Sequence, residues 1–288
     1  MPSTLSTQAP AMPLPPQGDA FALHAGAAVD SHFHLFAANH AVAGARYTPS
    51  YAAEWADWAA QAGACGVGRG LLVQPSFLGT DNRHMLQALA QAGRALRGVA
   101  VVAPDTPAAD LQGMHALGVR GIRLNLAGVQ HDVQAWCAAA PLWSCLDALG
   151  WHLELHTDTG ALPGVLAQLL PRIPTSLRLV LDHFGKPARL HPQDETLRAV
   201  QRLVRSGHTA YVKLSGSYRL AGMPASRLAQ HWLAELGPAR LLWGSDWPCT
   251  NHEALAVYAH LRADLDAWLQ DAAVAQAVLV DNPHGLLL

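Results

Sequence analysis

Cationic residues are scarce in this chain. Among 288 residues, 19 Lys and Arg stand against 21 Asp and Glu, and the first cation is Arg46. So few positive charges exclude a nucleic-acid surface and a polybasic membrane patch. They also argue against a secretory leader, which needs a basic segment ahead of an apolar one. Cysteine is sparse too: Cys65, Cys137, Cys145 and Cys249 are scattered, with no Cys-x-x-Cys pair. Neither a disulfide framework nor a thiolate zinc site is indicated, and reduced thiols of a cytoplasmic protein are expected. No uncharged apolar run reaches the roughly 18 residues of a membrane span. The expected partner is therefore a small molecule, with no nucleic acid and no membrane.

What is present is hydrophobic residue, 51% of the chain, ample for a sizeable core. Residues 1–20, rich in Pro, Ser and Ala, read as a loose Pro-rich N-terminal arm. Residues 21–288 read as one catalytic domain. Eight short apolar runs alternate there with longer Ala- and Leu-rich segments. The runs are "AAVDSHFHL", "RGLLVQP", "LRGVAVVAP", "VRGIRLNL", "WHLELHT", "LRLVLDH", "AYVKLSG" and "RLLWGSD". Strict alternation predicts a parallel sheet of the α/β class, and eight repeats predict a single closed (β/α)8 TIM barrel. An open doubly wound sheet would usually carry a Gly-rich phosphate turn after its first strand, and none is present.

Barrel active sites form where strands run out into the following loops. There the sequence places His32 and His34, Gln74 and Ser76, Arg123 and Asn125, His156, Asp182 and His183, Lys213 and Ser215, and Asp246. Side chains on a strand alternate faces, so His32 and His34 point together, with Asp30 expected on the same side. Alternation also groups Leu242, Gly244 and Asp246 on an inward face. It groups Leu179, Leu181 and His183 likewise, leaving Asp182 outward or against a neighbouring strand. With 16 histidines in the chain, one His-x-His pair alone carries little weight. The convergence of His32, His34, His183 and Asp246 at a barrel mouth carries more. Arg120 and Arg123 fall on opposite faces of one strand, so one of them is structural, and Arg123 is favoured for function. Lys213 is expected to pair with Glu154 as a structural ion pair.

The stretches "DSHFHLF", "RYTP", "VQPSFLGTDNR", "RGVAVV", "GVRGIRLN", "LDHFGKP", "LLWGSDWP" and "DNPHGLL" resemble, in order over residues 27–288, the amidohydrolase superfamily. The similarity is strongest to its lactone-hydrolysing branch, which acts on 2-pyrone-4,6-dicarboxylate, muconolactones and sugar lactones. The resemblance implies a hydrolase with His32, His34, His183 and Asp246 as its catalytic set. It implies Tyr47, Ser76, Arg123 and Arg219 as substrate-binding residues for an anionic lactone. Two departures stand out. The branch members acting on the pyrone dicarboxylate carry a further basic residue shortly after strand four, where this chain reads "LAGVQHD". And strand five ends in His156, as in metal-dependent members, although the nearest lactonases work without metal. The bridging lysine of two-metal members is missing from "GIRLN", so at most one zinc ion is expected, on His32, His34, His156 and Asp246.

Hydrolysis needs an activated water, a polarised carbonyl and a stabilised oxyanion. A carboxylate at Asp246 suits the general base, imidazoles suit the oxyanion, and the planar fork of arginine suits a carboxylate. The alternatives are a zinc-dependent decarboxylase of the aminocarboxymuconate semialdehyde type and a non-catalytic barrel that binds a metal or metabolite.

Overall fold

The computed structural model of the protein describes residues 27–128, 133–255 and 257–287. The arm expected at residues 1–20 lies outside the described residues, as do residues 129–132 of "LAGVQHD". The eight apolar runs form eight strands: β1 (Ala28–Phe33), β2 (Val67–Val73), β3 (Leu96–Ala100), β4 (Val119–Asn125), β5 (His152–His156), β6 (Arg178–Leu181), β7 (Ala210–Leu214) and β8 (Leu241–Trp243). They make one parallel sheet in sequence order, with helix between successive strands. β8 closes on β1 at the top through Asp246 N–H to His32 O and His34 N–H to Trp247 O, both 2.8 Å. Glycine at 244 permits this closure. A Cβ there would sit 2.4 Å from His32 Cβ and 2.8 Å from its backbone nitrogen, atoms that cannot yield. The expected (β/α)8 barrel is the fold.

Two apolar layers hold it together. Val29, Leu71, Val73, Val99, Val180 and Leu242 fill the barrel interior, joined by Leu286 from the last helix. The larger layer lies between sheet and helices and includes the fully buried Trp58, Trp143, Trp151, Trp232 and Trp243. The helix Glu195–Arg205 shows how the sequence specifies this layer. Asp194 caps it by accepting from Thr196 and Leu197 N–H, and Leu197, Val200 and Leu203 recur along its buried face. Each fully buried leucine contributes about 1.5–3 kcal/mol.

Two expectations about facing need correction. Pairing steps from Asp30↔Gly70 to Phe33↔Leu72, three residues on β1 against two on β2, which is a β-bulge. The bulge resets the alternation, so Asp30 points outward to Trp58 and Tyr258 while His32 points inward. On β6, Val180 faces the interior and Asp182 follows it there. Asp182 is therefore an inward residue. His183 enters the mouth because its φ of 50° turns the chain over at the strand end.

Candidate active site

Above the apolar interior lies a layer of buried charge. Arg123 Nε donates to Asp182 Oδ2 at 2.7 Å. Lys213 Nζ donates to Glu154 Oε1 at 2.5 Å, the ion pair expected from sequence, and lies 3.5 Å from Asp182 Oδ1. His152 Nε2 lies 3.2 Å from the same Glu154 oxygen. Two cations and two carboxylates balance here, as charges away from water require. Arg123 and Lys213 hold the Asp182 carboxyl well below the usual range, although burial pushes the other way. Arg120, by contrast, donates to the carbonyls of His115 and Val119, a structural role at the other end of the strand.

The catalytic candidates rest on this layer and meet around Asp246. His34 Nε2 is 3.3 Å from Asp246 Oδ1, and His32 Nε2 is 3.6 Å from it. The His183 ring centre is 5.0 Å from that of His32, and the His156 ring lies 5.1 Å from His183. Asp246 Oδ2 accepts from Tyr218 Oη at 2.6 Å and Arg219 Nε at 2.9 Å. Oδ1 is thus the oxygen turned to the imidazoles. Burial raises the Asp246 pKa, but Arg219, then His183 and His34, outweigh it and hold the group well below the usual carboxylate value. Burial, with the nearby Lys213 ammonium, lowers His32 to about 3. Desolvation also pushes His183 and His156 well below the ordinary imidazole value. Both Asp246 and His183 sit at positive φ, 59° and 50°, a strained conformation characteristic of functional strand ends.

A cleft of about 580 Å³ opens over this group. It is lined by His34, Tyr47, Ser76, Arg123, His156, His183, Arg219 and Asp246, so the structure brings all these candidates to one cavity. His32, with no exposed surface, closes its floor. Three further residues escaped the sequence reading. Arg46 and Lys186 add two cations to the wall, and Tyr218 holds the Asp246 carboxylate. Arg46 directly precedes Tyr47 in "RYTP" and Tyr218 directly precedes Arg219, so position beside a recognised residue was the available signal.

Among the described residues, two trios of side chains place possible metal-ligand atoms within 4.8 Å of one another: His32, His183 and Asp246, and His32, Glu154 and Asp182. His34 and His156, expected as ligands, belong to neither trio. In the second trio the Lys213 ammonium already supplies the cation. In the first, Lys213 Nζ lies 3.1 Å from His32 Nδ1. An ammonium only donates, so Nδ1 accepts and the neutral ring carries its proton on Nε2, the atom an ion would need bare. As the donors stand, they do not fit an ion on His32.

The amidohydrolase family model matches residues 29–287. The chain belongs to the amidohydrolase family. This amidohydrolase is 31% identical to the 2-pyrone-4,6-dicarboxylate hydrolase of Comamonas testosteroni, over 94% of this chain and 93% of that protein. It is 27% identical to the 4-sulfomuconolactone hydrolase of Rhizobium radiobacter, over 92% of this chain and 91% of that one. Among solved structures it is similar to a probable 2-pyrone-4,6-dicarboxylic acid hydrolase of Acinetobacter baumannii with citric acid bound. That likeness has a TM-score of 0.80 at 31% identity and covers 90% of this chain and 98% of the other. Among the described residues of the amidohydrolase, no helix is long and apolar enough to cross a membrane.

Proposed function

We propose that this amidohydrolase opens a lactone bearing carboxylate groups by attack of water on the ring ester. One observation carries the reading: Asp246 Oδ1 faces the histidines under a cleft wall that holds Arg46, Arg123, Lys186 and Arg219. Asp246 Oδ1 takes a proton from water as the water oxygen bonds to the ring carbonyl carbon. The carbonyl oxygen gains charge and receives hydrogen bonds from imidazole N–H groups held in place before reaction. The ring C–O bond then breaks, and the proton on Asp246 passes to the departing oxygen. The product is an open-chain acid. The relatives named above act on ring esters with anionic substituents, which supports an anionic substrate. The decarboxylase reading leaned on His156 as a ligand, and His156 stands outside both ligand trios.

The cation missing from "LAGVQHD" is made good in space. Arg46 Nη2 donates to Ala127 O at 2.7 Å. A Cβ at Gly128 would lie 1.7 Å from Arg46 Nη1, so the guanidinium fills the place a side chain would take beside strand four. The left-handed φ of Gly128, 69°, suits glycine in any case. The wall thus recovers a positive charge for a second carboxylate. Arg46 is also a cleaner probe than Arg123 or Arg219, each of which already holds a carboxylate of the site.

Initial rates on 2-pyrone-4,6-dicarboxylate, a monocarboxylated muconolactone and a neutral sugar lactone test this reading. Both anionic lactones should outrun the neutral one. Arg46→Met should lower kcat/KM for the dicarboxylate by about 10- to 150-fold, the worth of one charged hydrogen bond, with a smaller effect on the monocarboxylate. Neutral lactones as best substrates, with Arg46→Met silent on all three, would overturn the anionic assignment.

A further inference from the structure

We propose that Lys213 is a positioning residue that fixes His32 as the Nε2–H tautomer, so that His32 donates to the reacting carbonyl, while the Val73 carbonyl holds a proton on Nδ1 of His34. The inference rests on the hydrolytic reading for its catalytic consequence, but its structural core stands on hydrogen bonding alone. Lys186 and Lys213 are the only lysines in the chain. Lys213 is wholly buried inside the barrel, where a free ammonium is costly. Its three protons have three neighbours: Glu154 Oε1 at 2.5 Å, His32 Nδ1 at 3.1 Å and Asp182 Oδ1 at 3.5 Å.

Asp182 Oδ1 also stands at the Nδ1 edge of His32, 3.4 Å away, and it could only accept. Lys213 Nζ is the nearer of the two, 3.1 Å against 3.4 Å, and it can only donate, so its contact is the one that sets the tautomer in this proposal. Nδ1 accepts, and the ring proton sits on Nε2. Nε2 is itself buried without a partner beside Asp246. It is a preorganised donor with nothing yet to donate to, the condition required for stabilising an oxyanion.

His34 is set the other way. Its Nδ1 lies 2.7 Å from the carbonyl oxygen of Val73, which only accepts, so Nδ1 carries the proton. Its Nε2 lies 3.3 Å from Asp246 Oδ1. Lys213 also occupies the Nδ1 lone pair whose release would let the ring turn its bare Nε2 to an ion.

Multiple-bond proton–nitrogen NMR on histidine-labelled wild-type protein reads the tautomers directly, without substrate. The expected spectrum shows His32 protonated at Nε2 with an unprotonated Nδ1, and His34 protonated at Nδ1. His32 protonated at Nδ1 in the wild type would overturn the proposal, whatever the enzyme's activity. The paired variant Lys213→Met with Glu154→Gln removes the ammonium while keeping charge balance. It should switch His32 to Nδ1–H, directed at Asp182 Oδ1. It should lower kcat by about 100- to 1,000-fold, as loss of one oxyanion donor does, with KM little changed. A folded variant that retains the Nε2–H tautomer would overturn the role of Lys213. A folded variant whose tautomer switches while kcat stays within about twofold of wild type would overturn its catalytic consequence.

Discussion

Asp246→Asn is expected to lose about 100- to 10,000-fold in kcat while keeping the fold and most substrate binding, the usual cost of one general base. The geometry explains both halves. An amide oxygen in the place of Oδ2 still accepts from Tyr218 and Arg219, the two contacts that hold the group. The amide nitrogen then stands at the Oδ1 position, facing His34 and His32, and it cannot accept a proton from water. Arg219 loses its charged partner but is 24% exposed, so solvent tempers the loss. Circular dichroism and steady-state kinetics on the same preparation check the prediction. Near-normal turnover in a folded variant would remove Asp246 from the base role. The pH profile of the wild type follows from the same contacts. A base is active when ionised, and Asp246 ionises well below the ordinary carboxylate range. The acid limb of kcat/KM should therefore fall below the usual aspartate value, with activity present above it and lost as pH drops through it.

The largest stability effect is expected at a residue that touches no substrate. Asp30 accepts five hydrogen bonds while wholly buried. Oδ1 takes them from His32 N at 3.1 Å and Ser245 N at 2.9 Å. Oδ2 takes them from Ser245 Oγ at 2.6 Å, Trp58 Nε1 at 3.0 Å and Tyr258 Oη at 3.0 Å. One carboxylate thus ties β1 to the chain after β8 and to the helices Trp55–Ala64 and Tyr258–Leu269. Asp30→Ala takes the shared acceptor away from all five buried donors, and Ser245 Oγ is left with only a long contact to His32 O at 3.5 Å. Breaking such a network should cost about 3–5 kcal/mol or more. At roughly 2–4 °C per kcal/mol for a domain of this class, Tm should fall by about 10 °C. Activity should fall at temperatures where the fold survives, because His32 and Asp246 belong to the two segments that Asp30 joins. A thermal midpoint within about 2 °C of wild type would contradict this account of the closure.

The eight strands were legible because each is a short apolar run between helical stretches, a pattern that backbone periodicity dictates directly. The candidate histidines and Asp246 were legible for the same reason, lying where those runs end. What alternation could not supply were its own interruptions. The bulge after Asp30 arises from pairing with β2, and no property of "DSHFHLF" announces an extra residue. At β6, Val180 is the inward residue and Asp182, just past the strand, follows it inward, while His183 joins the site only through a left-handed turn. Arg46 was harder still. Its place beside Gly128 depends on two loops 82 positions apart meeting at the cleft, a matter of packing between segments. Lys213 was read correctly as the partner of Glu154, but its third contact, to His32, needed the barrel closed around it.

The central claim is that water attacks the acyl carbon of an anionic lactone. It is tested most directly by running the reaction on 2-pyrone-4,6-dicarboxylate and a carboxylated muconolactone in heavy-oxygen water and weighing the product fragments. The account predicts ring opening with one heavy oxygen per turnover, located in the newly formed carboxylate and absent from the released hydroxyl or enol oxygen. Release of carbon dioxide without label incorporation, label in the hydroxyl oxygen, or no ring opening of either lactone would contradict it.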